Sequence, residues 1–362
     1  MKPNIQSVPA AHHGALDFAE LERLGLHPDD VLDFSVNSNP FGPSPLVQEA
    51  MAAVPLDRYP DRESIALRRA LSERLDLPPE RIVTGNGTAE LLWLLAFALL
   101  SPGDAVLIIG PTFGEYSRVS ALIGARVEYY LTHPDNFDVN PANVAEQLWK
   151  HQPKLVFLCN PNNPTGTSLP PEVIGQWTAN HPDTVFVVDE SYLNFADSLP
   201  STLGLKAANI FSVRSMTKDY ALASLRLGYA ASHNPALIEA IAAVRPAWNV
   251  SGLAQAAGLA ALKDKAHLEK CLTDLRRAKV GLVNGLAQLG WSPLPSTTHY
   301  FLMYVGQADT FRLKLLKQAI QVRDCASFGL PQFVRIATRR SEENERLLTA
   351  LKNLAIDAAD KV

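Results

Sequence analysis

The sequence predicts an α/β fold, with a large domain built on a mainly parallel central sheet and a smaller α+β domain. Three observations predict it. Short β-rich runs recur with helical patterns between them, those runs are apolar on both faces, and polar residues able to do chemistry stand directly after them. The runs are Ala105–Ile109, Lys154–Cys159, Thr184–Val188, Asn209–Val213 and Leu227–Ala231. Stretches such as VFVV and AVLII leave no face for water, so helices must cover both sides of the sheet. Ligands in such sheets sit beyond the carboxyl ends of the strands, which makes the residues after each run the first place to look for a site.

The flanking segments complete the organisation. The chain before about Asn39 is loop-rich with one helical stretch near Phe18–Leu26; after about Pro246 a helical stretch from Ser251 to Leu289 leads into β-like segments at Tyr300–Tyr304 and Phe333–Ala337 and a closing helix from Ser341 to about Ala355. The expected division is residues 1–38 as an arm belonging to the small domain, 39–246 as the large domain and 247–362 as the small C-terminal domain.

Composition sets the bounds. The 362 residues are 47% hydrophobic and 19% charged, an ordinary globular balance with room for two or three domains. Thirty-three Lys and Arg against 37 Asp and Glu leave a net charge of −4, so no global field attracts nucleic acid or an anionic membrane. Any bound anion must be captured locally. The cysteines Cys159, Cys271 and Cys325 are far apart and fit neither a disulfide framework nor a metal pattern, which points to a reducing cytoplasm and no metal. The N-terminal MKPNIQSVPAAHHGA has no apolar signal-peptide core, and the longest apolar run, Leu91–Leu100, is too short to cross a bilayer and reads as a buried helix.

Three motifs carry chemistry. Arg214-Ser-Met-Thr-Lys-Asp-Tyr follows the strand ending at Val213, and Arg226 lies eight residues past Lys218. Such a lysine can condense with a carbonyl while Ser215, Thr217 and Arg226 hold a phosphate; an isolated motif of this kind is more often a surface loop. Val83-Thr-Gly-Asn-Gly-Thr-Ala-Glu90 leads into the apolar helix, where an anion would sit against Gly87, Thr88 and Ala89, although an ordinary capped turn has the same look. Asn160-Pro-Asn-Asn-Pro-Thr-Gly166 and Val188-Asp189-Glu-Ser-Tyr192 each follow a strand. A carboxylate such as Asp189 at the end of an apolar strand needs a cation, and a protonated pyridine nitrogen is one. Asn163 and Tyr192 can donate to the phenolate of the same ring, and Tyr116, in Pro111-Thr-Phe-Gly-Glu-Tyr, offers an aromatic face to stack on it. Each alone is equally a turn Asn or a core Tyr.

In this order, at strand ends, the motifs resemble the fold-type I family of pyridoxal-phosphate (PLP) enzymes, the aminotransferases of class I and II, and especially their histidinol-phosphate aminotransferase branch. The resemblance covers nearly the whole chain. It implies a PLP-dependent transferase-like fold and PLP as cofactor, with Lys218 bound to it covalently, Asp189 on the pyridine nitrogen, and Asn163 and Tyr192 on the phenolate. It makes Tyr116 the stacking aromatic, and Gly87, Thr88, Ala89, Ser215, Thr217 and Arg226 the phosphate cup. Tyr59, in Arg-Tyr-Pro-Asp, matches a tyrosine that reaches the phosphate in the neighbouring subunit, so a homodimer with shared active sites is implied.

The ends of the chain separate two reactions. His12-His13-Gly-Ala, Asp33-Phe-Ser-Val-Asn-Ser-Asn-Pro-Phe-Gly, Asp324-Cys-Ala-Ser and Val334-Arg335-Ile-Ala-Thr-Arg339 resemble L-threonine-O-3-phosphate decarboxylases of cobalamin biosynthesis. The first expectation is therefore decarboxylation of that phosphorylated amino acid to (R)-1-amino-2-propanol phosphate, with a histidinol-phosphate-type aminotransferase using 2-oxoglutarate and glutamate as the alternative. Arg335 is assigned to the substrate carboxylate, and His13, Ser35, Asn37 and Arg339 to its phosphate. The decarboxylase pattern reads His-Gly-Gly where this chain has His13-Gly14-Ala15; a left-handed backbone at the third position would be resisted by Ala15.

Overall fold

The five apolar runs form the middle of one seven-stranded sheet in a computed structural model of the chain, which describes residues 5, 8 and 14–359, backbone alone after 354. In chain order the strands are β1 (Leu32–Asp33), β2 (Ile82–Asn86), β3 (Ala105–Gly110), β4 (Arg126–Leu131), β5 (Leu155–Cys159), β6 (Val185–Asp189), β7 (Ile210–Ser215), β8 (Leu227–Ala231), β9 (Tyr300–Tyr304), β10 (Ile320–Gln321), β11 (Arg323–Cys325) and β12 (Leu330–Ala337). The large sheet has the order β2-β8-β7-β6-β5-β3-β4. From β7 to β4 every pair is parallel, while β8 runs antiparallel to both its neighbours.

Two-sided burial is visible residue by residue. Val106, Ile108, Leu155 and Phe157 enter one core with Leu91, Leu92 and Leu95 of the helix Gly87–Leu99, whereas Leu107, Ile109, Val156 and Leu158 enter the opposite core with Ile174 and Trp177 of the helix Pro171–Asn180. This is the period-2 alternation of a strand applied to a sheet with no wet face. The apolar helix is not buried all round, since Phe97 points outward.

Beside it, β9 and β11 flank β12 in an antiparallel sheet, and β1 pairs parallel with β10 through Leu32↔Ile320 and Asp33↔Gln321. Phe34 packs there among Phe301, Met303, Val334, Ile336 and Leu347. Two strands of the large sheet were not legible beforehand, nor were the short β1, β10 and β11. β4 is an edge strand that carries Arg126 and Glu128 and leaves Tyr129 and Leu131 exposed, and β2 ends in the polar Thr84-Gly-Asn. The long helical stretch divides into Gly252–Lys263 and Lys265–Gln288, because Asp264 leaves helical geometry to cap His267 N–H at 3.1 Å.

The lysine loop is held from beneath by one buried carboxylate. Glu190, next after β6, accepts from Ser201 Oγ (2.8 Å), Thr202 N–H (2.7 Å) and Oγ1 (2.8 Å), Ser212 Oγ (2.9 Å) and Arg214 Nε (3.0 Å), with Arg214 Nη2 at 2.9 Å. So saturated an ion pair stabilises mainly because removing one member strands the other. Glu190→Gln should lower unfolding free energy by about 3 kcal/mol, seen in urea titration as a lower midpoint at unchanged slope.

Candidate active site

Strand direction brings the motifs to one edge. β5, β6 and β7 are parallel, so Asn163, Asp189 and Lys218 all lie at or just past their carboxyl ends. Two successive antiparallel pairings make β2 run with β7, so Gly87 follows the carboxyl end of β2 at the same edge, and β8 starts there with Arg226 before it. At this edge opens a cavity of about 950 Å³ whose lining includes Ala89, Phe113, Asn163, Tyr192, Lys218, Arg226, Arg323, Arg335, Ser35 and Asn37.

Lys218 is the lysine that lines this cavity. Burial, with Arg335 and Arg226 adding repulsion, depresses its pKa to about 8, so a sizeable fraction is the neutral nucleophile near physiological pH. Asp189 is buried at the end of β6; Tyr116 Oη donates to it at 2.8 Å and Ser191 N–H at 3.0 Å, and burial pushes its pKa up. Burial likewise raises the Tyr192 phenol, which Asn37 faces.

The anion end is a cradle. The hydroxyls of Ser215 and Thr217 are 2.7 Å apart, and Arg226 extends to the start of the helix Gly87–Leu99, where a Cβ on Gly87 (φ +77°) would sit 2.8 Å from Nη2. Only glycine leaves room for that guanidinium. No carboxylate lies within 4 Å of Arg226 among the described residues. A cation placed against the positive end of a helix without a counter-charge is a site prepared for phosphate.

Two expectations about placement need correction. Tyr116 does not stack in the cavity: the helix Glu115–Ile123 turns its ring fully inward, parallel to Phe157 at 4.9 Å, and its hydroxyl serves Asp189. Phe113, three residues earlier in the same motif, lines the cavity instead. Arg339 does not reach the cavity either. Its guanidinium donates to Asp33 O at 3.0 Å and pairs with Glu343 at 2.8 Å, one helical turn along. The second arginine beside Arg335 is Arg323, which sequence reasoning missed although Asp324-Cys-Ala-Ser directly follows it. Arg323 and Arg335 are register partners on β11 and β12, both buried and both in the cavity lining; Arg323 Nη2 donates to Ser327 Oγ at 2.7 Å. Arg335 donates to Asn163 Oδ1 and to Ser35 O. Two guanidiniums so close, with burial and Arg335 depressing the Arg323 pKa, favour an anionic substrate group between them.

The N-terminal segment closes the site. Asn39 N–H donates to Lys218 O (2.9 Å) and its side-chain amide to Asp219 O (3.0 Å). Ser35 Oγ accepts from Ala15 N–H at 3.0 Å and donates to Asp33 at 2.6 Å. Tyr59 stands outside the cavity, exposed and stacked on Trp248 at 4.6 Å. His12 and His13 lie outside the described residues.

A family model of aminotransferase class I and II matches residues 29–351. The chain belongs to that family. A histidinol-phosphate aminotransferase of Symbiobacterium thermophilum is 36% identical over 360 residues, covering 97% of this chain and 96% of the relative. Among solved structures, histidinol-phosphate aminotransferase from Sinorhizobium meliloti in complex with pyridoxal-5'-phosphate superposes with TM-score 0.88 at 25% identity, over 99% of this chain and 98% of that one. L-threonine-O-3-phosphate decarboxylase from Porphyromonas gingivalis superposes with TM-score 0.78 at 27% identity, over 89% and 98%. The cofactor of this class I and II aminotransferase family member is PLP, and the residues fit it: a half-buried amine of depressed pKa, a buried carboxylate that a cation would balance, and an arginine without a carboxylate partner at a helix start.

Two outcomes follow from this geometry. PLP added to cofactor-free protein should be captured at a rate that rises with pH and levels off above about 8, because only neutral Lys218 reacts; Lys218→Ala should show only the absorption of unreacted PLP, with no shifted band and no cofactor retained after borohydride treatment. Ala15 does take a positive φ, 114°, so Ala15→Gly should raise stability by about 1 kcal/mol in thermal melts, strain relief outweighing the added chain entropy.

Proposed function

We propose that this protein is a PLP-dependent aminotransferase acting on a phosphorylated amino compound of the histidinol-phosphate type, with glutamate and 2-oxoglutarate as the exchanging pair. The observation that carries the reading is the near end-to-end relationship, at 36% identity, to a histidinol-phosphate aminotransferase. The decarboxylation of L-threonine phosphate expected from the chain ends becomes the second reading. It is favoured by the Porphyromonas gingivalis neighbour, but the residue that distinguished it, Arg339, is engaged with Glu343 and Asp33 instead of the cavity.

Bound PLP supplies the electron sink for whichever bond to the substrate α-carbon is broken. The chain's own residues do the rest. Lys218 would hold and move the proton at that carbon as a neutral amine, and its depressed pKa suits a base working near neutrality. Asp189 would hold the ring nitrogen in its protonated form, and Tyr116, by donating to Asp189, fixes the orientation of that carboxylate. Arg323 and Arg335 take the anionic group: a phosphate in the amino donor, a carboxylate in glutamate. One site can serve both partners in turn because guanidinium forks match either anion.

Assembly follows the same reading. Tyr59 projects from the surface beside Trp248, with Leu56 exposed nearby in sequence, and in a homodimer it would reach the phosphate cradle of the neighbouring subunit. The three cysteines are free and buried, in keeping with a cytoplasmic enzyme. Among the described residues no helix is long and apolar enough to cross a membrane.

The deciding assay gives PLP-loaded protein histidinol phosphate with 2-oxoglutarate, and L-threonine phosphate alone. Glutamate in the first and no carbon dioxide in the second is the expected result; the reverse establishes the decarboxylase. In either case Arg335→Met should lower kcat/KM by about a hundredfold.

A further inference from the structure

A second cavity, of about 370 Å³, lies between the loop at 297–299 and the face of the helix Lys265–Gln288 that carries Leu272, Leu275, Lys279 and Val283. None of its lining residues lines the larger cavity. Its volume is within the range of small-molecule sites. Phe195, Leu272, Leu275, Val280 and Val283 give it an apolar side, and Asn284, Thr297 and Thr298 line it as well.

The polar end is unusual. His299 is 3% exposed, yet neither ring nitrogen has a hydrogen-bond partner among the described residues. The ring is packed against Phe195 at 3.9 Å and edge-on to Tyr300 at 5.4 Å, so the stacking is satisfied while the nitrogens are not. Burial, followed by the charge of Lys279, holds the imidazole well below its ordinary pKa. It is therefore neutral, with one N–H to give and one lone pair to fill. Lys279 Nζ donates to Ser296 O at 2.6 Å, and no carboxylate lies within 4 Å of it among the described residues. The other cation at the cavity, Arg276, is already paired with Asp197.

A buried, unsatisfied imidazole beside an unpaired ammonium calls for an acceptor that both can reach. A carboxylate meets that need. A phosphate dianion does not, since Arg276 is committed to Asp197, which leaves one lysine and a neutral ring beside Asn284, Thr297 and Thr298, too little positive charge for it. We propose that this cavity is a second ligand site, taking a small monocarboxylate with an aromatic or branched aliphatic body, its carboxylate held by Lys279 Nζ and the His299 N–H.

Such a ligand leaves the amine cavity open and is felt there through one side chain. Tyr300, against which His299 packs, donates to Asn162 O at 2.9 Å, and the Arg335 guanidinium lies 5.7 Å from its ring centroid. The test is calorimetric titration of PLP-loaded protein with 3-phenylpropionate, using 3-phenylpropanamide as the uncharged control. A saturable event that persists in Arg335→Met, where carboxylate binding in the amine cavity is lost, is expected, weakened about tenfold or more in Lys279→Met and in His299→Phe, with the amide failing to bind. Absence of saturable heat, equal binding of the amide, or binding lost in Arg335→Met but intact in Lys279→Met would each overturn the proposal. Should His299→Phe fail to fold, the half-buried Lys279 decides the matter alone.

Discussion

Positive charge gathered where water is scarce is the constraint that organises this molecule. The half-buried Lys218 and the buried Arg323 and Arg335 line one cavity, with the exposed Arg226 at its edge, and the carboxylate facing Lys218 from below, Asp189, is itself destabilised by burial. A folded chain tolerates such a cluster only if rigid elements hold each member apart from the others and anions arrive to balance them. The depressed pKa of Lys218 is the local response, and it is also what makes the amine reactive.

Rigidity comes from the sheet. Because β5, β6 and β7 run the same way and β2 joins them after two reversals, four separate stretches of sequence deliver their chemistry to a single edge. Glu190 secures the lysine strand from behind by gathering six contacts onto one carboxylate, and Arg214 is thereby kept out of the cationic cluster in front.

Much of this was legible in sequence because strand ends in an α/β sheet carry a recognisable contrast between apolar runs and polar residues. The five central strands and Lys218, Asp189 and Arg226 stood at such contrasts. What escaped was of two kinds. Edge strands such as β4 share the polarity of loops, so periodicity alone does not separate them. Direction of side chains was the other: Phe113 and Tyr116 occupy one motif, and only the helix beginning at Glu115 decides which ring faces the cavity. Arg339 and Arg323 show the same limit, since the turn before the final helix commits the former to Glu343, while antiparallel register places the latter beside Arg335.

The segment from Asp33 to Asn39 touches both halves of the site: Ser35 O receives Arg335, Ala337 N–H bonds Phe34 O, and Asn39 grips the carbonyls of Lys218 and Asp219. It therefore works as a tie-rod. The strip of backbone that receives the Arg335 guanidinium at Ser35 is hydrogen-bonded at its other end to the carbonyls of Lys218 and Asp219, so the two ends of the cavity share one support. A substitution within residues 33–39 therefore acts on the arginine and on the lysine loop together.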